Sequence, residues 1–473
     1  MTNLTKGLFL SIAANLAALG SSLIIVGVAT RVLTKEDMGA FFMVMVVALF
    51  AGTVADLGLR NGVIRVLSVA RGSYDNSAMP FLVTLGVVSS LAVCGALIVA
   101  AAVVSYFLPA SVYIKPLAWG GLVTFAMGNW QMALAVLVGQ QRYQTLSLLS
   151  LGVELLRIVV SVTILLAGGG MPGLILGIVV SRLTGFVLFG AMSGGQIYCC
   201  ISTPNSRDLL TFSAWGYGSA VISIVTGRLG DFVLNSQLGA AALATYSTAM
   251  QVPLIVNRGY ESIRPVVLAY VAAKGEKGLR TVVVGSRLIT GALSIMALLV
   301  MISANTIVPL IFSVRYSESV PITVILSIWV VVGLTNYFIS TALFGVGRSR
   351  EVFWFSLAQL PVMVGLCFTI VPLYGGAGAA GALVITSAIG NLLYAFMFGQ
   401  DESEVATALV KLLLVTQIPL VLCAYAITTW DMSTFARLMT GASAFLSMVL
   451  LGGVRIGEMI AISRKLFFPM RRK

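Results

Sequence analysis

Long uninterrupted apolar segments recur along the whole chain, and nothing else constrains its fold as tightly. Phe81–Leu108 and Leu117–Val138 each exceed the roughly 18 apolar residues that cross hydrocarbon. In lipid every backbone N–H and C=O must be bonded within the chain, so a span is either a helix or part of a closed barrel. The sequence lacks the alternating ten-residue strands of a barrel, which leaves helices. Only 10% of the 473 residues are charged, against about 25% in a soluble domain. The expectation is an all-α polytopic membrane protein of about fourteen transmembrane helices: 8–32, 40–59, 81–107, 117–139, 145–167, 171–192, 209–234, 240–258, 282–312, 321–345, 352–373, 378–399, 405–428 and 434–454. The first run, Leu8–Leu33, exceeds a signal-peptide core and reads as a retained helix.

Net charge is +13 without a histidine. On a soluble protein that balance points to nucleic acid; here it follows from topology. With the N-terminus in the cytoplasm, Arg65, Arg71, Arg142, Arg207, Lys274, Lys277, Arg280, Arg348, Arg350 and the tail Arg464–Lys473 fall inside. Only Arg31, Lys35, Lys115, Arg315 and Arg437 fall outside. This positive-inside asymmetry predicts an even number of spans with both termini cytoplasmic. The five cysteines (Cys94, Cys199, Cys200, Cys367 and Cys423) have no metal-site spacing and read as free thiols.

The chain repeats itself. Leu137–Gly139–Arg142 recurs as Leu343–Gly345–Arg348, and Gly169–Gly170 as Gly375–Gly376, both 206 residues on. VLTKEDMGAF from Val32 aligns with QLGAAALATY from Gln237, 205 residues on. Six predicted helices separate equivalent points, so the repeats run parallel about the membrane normal. The predicted organisation is a six-helix lobe over 1–195, a cytoplasmic loop over 196–208, a second six-helix lobe over 209–400, and an extra helix pair with a basic tail over 401–473.

Charges inside the spans mark candidate sites. An ionisable group at the bilayer centre costs about 2.5–3.5 kcal/mol on insertion scales, so it faces a bundle interior or a wet cavity. Arg228 and Asp231, like Glu154 and Arg157, lie three residues apart and share a helix face. Arg182 has no acid within a turn of its own helix. Asp56 precedes Arg60 by four residues. For each pair a structural ion pair is the alternative to a site, although buried pairs seldom offset their desolvation. Arg258, Glu261, Arg264 and Arg287 read equally well as headgroup anchors, and Asn15, Asn129, Gln131, Asn336 and Gln359 as interhelical hydrogen-bonding groups. Counting Arg60, Arg157, Arg182 and Arg228 against Asp56, Glu154 and Asp231, the buried charge is positive. Arginine forks suit phosphate oxygens and stay charged at physiological pH.

The opening NLAALGSSLIIVGVATRVLTKEDMGAF and the stretch Gly227–Tyr246, GRLGDFVLNSQLGAAALATY, resemble the bacterial polysaccharide and O-antigen flippases of the multidrug/oligosaccharidyl-lipid/polysaccharide exporter superfamily. The resemblance covers nearly the whole chain. It implies two six-helix lobes forming a V around a central cavity, plus the C-terminal pair that lipid II flippases also carry. It implies a secondary transporter that moves a polyprenyl-diphosphate-linked oligosaccharide across the bacterial inner membrane. Arg60, Arg157, Arg182 and Arg228 would hold the diphosphate. A coupling proton or sodium ion would ride on Asp231, Glu154 or Asp56, and there would be no other cofactor. In some superfamily members the sodium site uses acids on the seventh and eleventh helices. Asp231 matches the first, but the eleventh span offers only Gln359. A glycan polymerase and a chain-length regulator are the implied protein partners besides the lipid bilayer, with no nucleic acid.

No Walker loop, nucleophile elbow or metal-ligand cluster is present in the sequence, so no enzyme is expected. Three alternatives remain at this point: a cation-coupled multidrug antiporter, for which an acidic cavity would be expected, a lipid II flippase, and a non-transporting scaffold for glycan enzymes.

Overall fold

The structure, a computed structural model, describes residues 2–60, 63–64, 78–108, 111, 113–140, 142–192, 207–257, 264, 267–268, 270–271, 274–401, 403–429 and 433–450. Arg65, Arg71, Cys199, Cys200, Arg258, Glu261, the loop over 196–206 and the basic tail lie outside these, as do the side chains of Asn15 and Arg287. The described residues form helices and no strand: α1 (Thr2–Val32), α2 (Lys35–Asp56), α3 (Ala78–Phe107), α4 (Ile114–Gly139), α5 (Tyr143–Leu166), α6 (Gly170–Met192), α7 (Arg207–Leu238), α8 (Ala240–Gln251), α9 (Glu276–Phe312), α10 (Ser319–Val346), α11 (Ser349–Asp401), α12 (Ser403–Thr429) and α13 (Thr434–Leu450). Among them, eight helical stretches are long and apolar enough to cross a membrane. Large side chains such as Tyr106, Leu148, Leu373 and Phe396 stand exposed on these helices. In water such faces would demand a partner; here they meet lipid. The protein is a multi-pass membrane protein.

Local chemistry sets the helix ends. Thr34 caps α2, its Oγ1 accepting the Asp37 N–H at 3.1 Å, with Glu36 and Asp37 in the first turn where the helix dipole favours acids. α2 stops at Asp56, three residues before the expected end, because Leu57 (φ 46°) and Gly58 (φ 74°) turn left-handed. α8 stops at Gln251 rather than 258. Pro253 follows closely, with no N–H to continue the ladder and a ring that disfavours helix in the preceding residue. α11 runs 53 residues, which would be about 80 Å if straight. Hydrocarbon is about 30 Å thick, and the helix breaks where it must, at Gly375 (φ 56°, ψ −132°).

Contacts divide the chain into two compact units. The first holds Met1–Thr248 with Ile311–Ser313 and Cys367–Gly376; the second holds Ala249–Leu310, Val314–Leu366 and Ala377–Lys473. In the first, Trp130, Val136, Leu137, Val153 and Phe189 form a core where α4, α5 and α6 meet. In the second, one core gathers Leu334, Phe338, Val352 and Tyr394, and another joins Val331 of α10 to Leu420 and Met448 of the C-terminal helices.

In the first unit, α5 and α6 pack through a ladder of small residues. Gly173, Gly177, Ser181 and Gly185 recur every fourth residue of α6, all buried. A Cβ on Gly177 would stand 1.9 Å from Ser161 Oγ, and one on Gly185 would stand 2.5 Å from Val153 and 2.7 Å from Trp130. Small residues at this spacing let membrane helices approach to backbone contact. They also set the position of the neighbouring residue, Arg182.

Candidate functional site

Among the described residues, one carboxylate and two guanidiniums gather where α1, α5 and α6 meet. Glu154, one turn before Arg157 on α5, is 4% exposed. Its Oε2 pairs with Arg157 Nη2 at 2.9 Å, and its Oε1 takes Arg182 Nη2 from α6 at 2.6 Å. Arg182 thus has no acid on its own helix and finds one across the ladder. Its guanidinium also lies 5.9 Å from the Trp130 ring centroid, within range of a cation–π contact. Helix α1 closes the cluster. Ser21 donates to Glu154 Oε2, and Arg157 Nη2 reaches Ser21 Oγ, Ser22 Oγ at 3.0 Å and the Ala18 carbonyl at 3.4 Å. Among the described residues, one carboxylate answers two guanidiniums here. Arg182 Nε is buried with no partner among them. Ser21, Ser22 and Trp130 were not singled out in the sequence; the adjacent serines inside an apolar helix were the available signal.

A second group lies on α7. Arg228 Nη1 pairs with Asp231 Oδ2 at 3.3 Å, as the three-residue spacing predicts. Asp231 is 1% exposed and its Oδ1 has no partner among the described residues, whereas the Arg228 side chain is 24% exposed. Buried Tyr246 of α8 and the free thiol of Cys367 lie within electrostatic reach of this carboxylate.

The third group sits at the end of α2. The left-handed turn at Leu57–Gly58 falls between Asp56 and Arg60, so the two are not neighbours along one helix. Asp56 Oδ1 accepts the backbone N–H of Arg60 at 3.4 Å, while the Arg60 guanidinium reaches Gln131 Oε1 of α4 at 3.3 Å. The Phe50–Phe232 ring contact and the Tyr217 hydroxyl on the Val54 carbonyl, 3.2 Å away, tie α2 to α7. All seven candidate residues therefore lie in the first unit, in three groups with their own partners. No cluster of metal-ligating side chains occurs among the described residues.

Apolar crossing helices with buried arginines and carboxylates, gathered in two compact units, make a polytopic helical membrane fold, and solved structures share it. The lipid II flippase MurJ, in an inward closed conformation, aligns with a TM-score of 0.64 at 14% identity, over 96% of this chain and 99% of its own. An outward-facing multidrug resistance MATE family transporter of the MOP superfamily gives 0.62 at 14%, over 86% and 97%. A mutant of the Vibrio cholerae MATE transporter VcmN gives 0.60 at 15%, over 86% and 100%. At these identities the likeness is one of fold, and these neighbours are transporters and a flippase rather than enzymes. No curated protein matches the chain in sequence. The model of the polysaccharide biosynthesis protein family matches residues 28–321, more than half of the chain, and the chain belongs to that family.

Proposed function

We propose that this protein is a flippase carrying a polyprenyl-diphosphate-linked oligosaccharide from the inner to the outer leaflet of the bacterial cytoplasmic membrane. The product would feed O-antigen, capsule or exopolysaccharide assembly. The observation that carries the reading is the surplus of guanidinium over carboxylate around Glu154, with Arg182 Nε left to a further acceptor. A buried guanidinium N–H without an acceptor is costly in an apolar protein, and a diphosphate supplies oxygens in the geometry a guanidinium prefers. Membership of a polysaccharide biosynthesis family and the flippase fold of MurJ support the glycan and the lipid carrier. Arg157, Arg182 and Arg228 would hold the diphosphate with Arg60 in support. The mechanism would be alternating access of two six-helix lobes, the C-terminal pair lying outside them. Both termini would be cytoplasmic, and a polymerase and chain-length regulator would receive the glycan.

The test is surface glycan display in a flippase-deleted bacterium. Wild type restores display. Arg182→Ala leaves Glu154 paired with Arg157, so the variant reaches the membrane, yet it loses one charge-assisted contact to the substrate; Arg228→Ala loses another. Each lowers display by about tenfold or more at equal membrane level. Full display by both variants would remove the arginines from the site. Failure of wild type in several glycan systems, with resistance to organic cations gained instead, would favour a multidrug antiporter.

Asp231 is the coupling group in this reading, since half of its buried carboxylate is unengaged. Asp231→Asn keeps the shape and removes the charge. In inverted vesicles, wild type speeds up when a proton or sodium gradient is imposed, whereas the variant ignores it. A variant as gradient-driven as wild type would pass the role to Glu154 or Asp56.

A further inference from the structure

The second unit carries an uncharged counterpart of the Glu154 cluster. The small-residue ladder of α6, Gly173, Gly177, Ser181 and Gly185, recurs 205 residues on as Gly378, Ala382, Thr386 and Gly390 of α11, again all buried. The same shift carries Glu154 to Gln359, Arg157 to Val362 and Arg182 to Ser387. The packing follows the sequence. Where Gly185 makes room for Val153 and Trp130, Gly390 makes room for two amides: a Cβ there would stand 2.4 Å from Asn336 Nδ2 and 2.6 Å from Gln359 Oε1.

Around that glycine the seam between α10 and α11 is polar and neutral. Asn336 donates to Gln359 Oε1 at 3.4 Å, and Gln359 Nε2 donates to its own helix at the Phe355 carbonyl, 3.2 Å away. The next residue, Asn391, donates to the Val332 carbonyl at 2.9 Å. Its buried Oδ1 has no partner among the described residues. One turn from Asn336, the Trp329 indole nitrogen and the Ser387 hydroxyl converge on Gly333, lying 3.5 and 3.9 Å from where its Cβ would be. Trp329, Asn336 and Ser387 all retain part of their exposure.

Amides present donors and acceptors together, as does a sugar hydroxyl, and sites for small molecules combine an aromatic wall with a few placed polar groups. A neutral seam carries no counter-charge for an anion. We propose that this α10–α11 seam is a subsite for a neutral, polyhydroxylated sugar ring of the lipid-linked glycan, an assignment that rests on the flippase reading above. The two repeats then divide the substrate by chemistry: charge at the Glu154 position reads the diphosphate, and an amide at the same position reads the saccharide.

Two lipid-linked probes test the assignment in inverted vesicles: polyprenyl diphosphate bearing the full oligosaccharide and polyprenyl diphosphate bearing none. Wild type moves the first faster. The double variant Asn336→Leu with Gln359→Leu fills the seam with apolar groups of similar volume. It slows the glycan-bearing probe by about tenfold and leaves the bare one unchanged. Ser387→Ala, which trims one hydroxyl, gives the same selectivity at smaller size and decides the matter should the double variant not reach the membrane. Equal slowing of both probes means the amides only hold the helices together, and overturns the assignment, as does unchanged transport of both. A wild type inactive on both probes fails at an earlier step and takes the flippase reading down with it.

Discussion

Glu154→Leu strips the protein from the membrane, and adding Arg157→Leu and Arg182→Leu brings it back without transport. The single change leaves two guanidiniums, each with a side chain about one-tenth exposed, around a hole that held their shared carboxylate. Removing one partner of a buried ion pair costs about 3–5 kcal/mol because the remaining charge is stranded. Here two guanidiniums lose their shared carboxylate at once, against a total stability of about 5–15 kcal/mol for a typical domain. Replacing every member with a hydrophobic residue of similar volume is instead neutral or stabilising in comparable clusters. The triple variant therefore accumulates to wild-type level, measured by immunoblot of membranes, while surface glycan display stays at the level of the deletion strain. Normal accumulation of Glu154→Leu would show that the arginines already have another counter-charge. Restored display in the triple variant would show that the cluster serves packing alone.

Gly39→Val is the second large effect. Gly39 is buried where α2 crosses α8, and a Cβ there would stand 1.9 Å from the Ala240 carbonyl oxygen and 2.4 Å from its carbon. These are backbone atoms, so no side chain can swing aside and the helices themselves must part. Overpacking a core costs about 1–3 kcal/mol when side chains absorb it; a backbone clash lies at or beyond the upper end. The detergent-solubilised protein is expected to unfold several degrees lower, by about 4 °C or more, and to accumulate poorly. Gly52→Ala, on the same helix with nothing within 4 Å of the added carbon, is the control. It holds or gains stability, since alanine outranks glycine in helices by about 1 kcal/mol. A Gly39→Val protein as stable as Gly52→Ala would mean that α2 and α8 do not meet as described.

What the sequence made legible was what depends on one helix at a time. Spans followed from apolar length, and α5, α6 and α10 begin and end within two or three residues of expectation. The Arg228–Asp231 pair followed from a spacing of three. What depends on two helices was hidden. Arg182 looked solitary because its acid lies 28 residues away on α5. The contact is made by a small-residue ladder whose meaning appears only once the partner helix is known. Asp56 and Arg60 looked like helical neighbours because nothing in an apolar run announces that Leu57 will take a left-handed conformation. The repeat was visible as glycine pairs, yet its consequence, charge in one half and amide in the other at the same position, needed the packing around Gly185 and Gly390.

Gly375 bears on how the protein is made. One residue with a backbone conformation suited to glycine separates two helices, each long enough to traverse the membrane, and both neighbours continue directly in helix. No hydrophilic connector lies between them. As the chain emerges from the ribosome, the second of these helices therefore has no tether on which to wait outside while the first settles. The two enter the bilayer as a pair, and a reporter or protease site placed at 375 would interrupt biogenesis before it could report on topology.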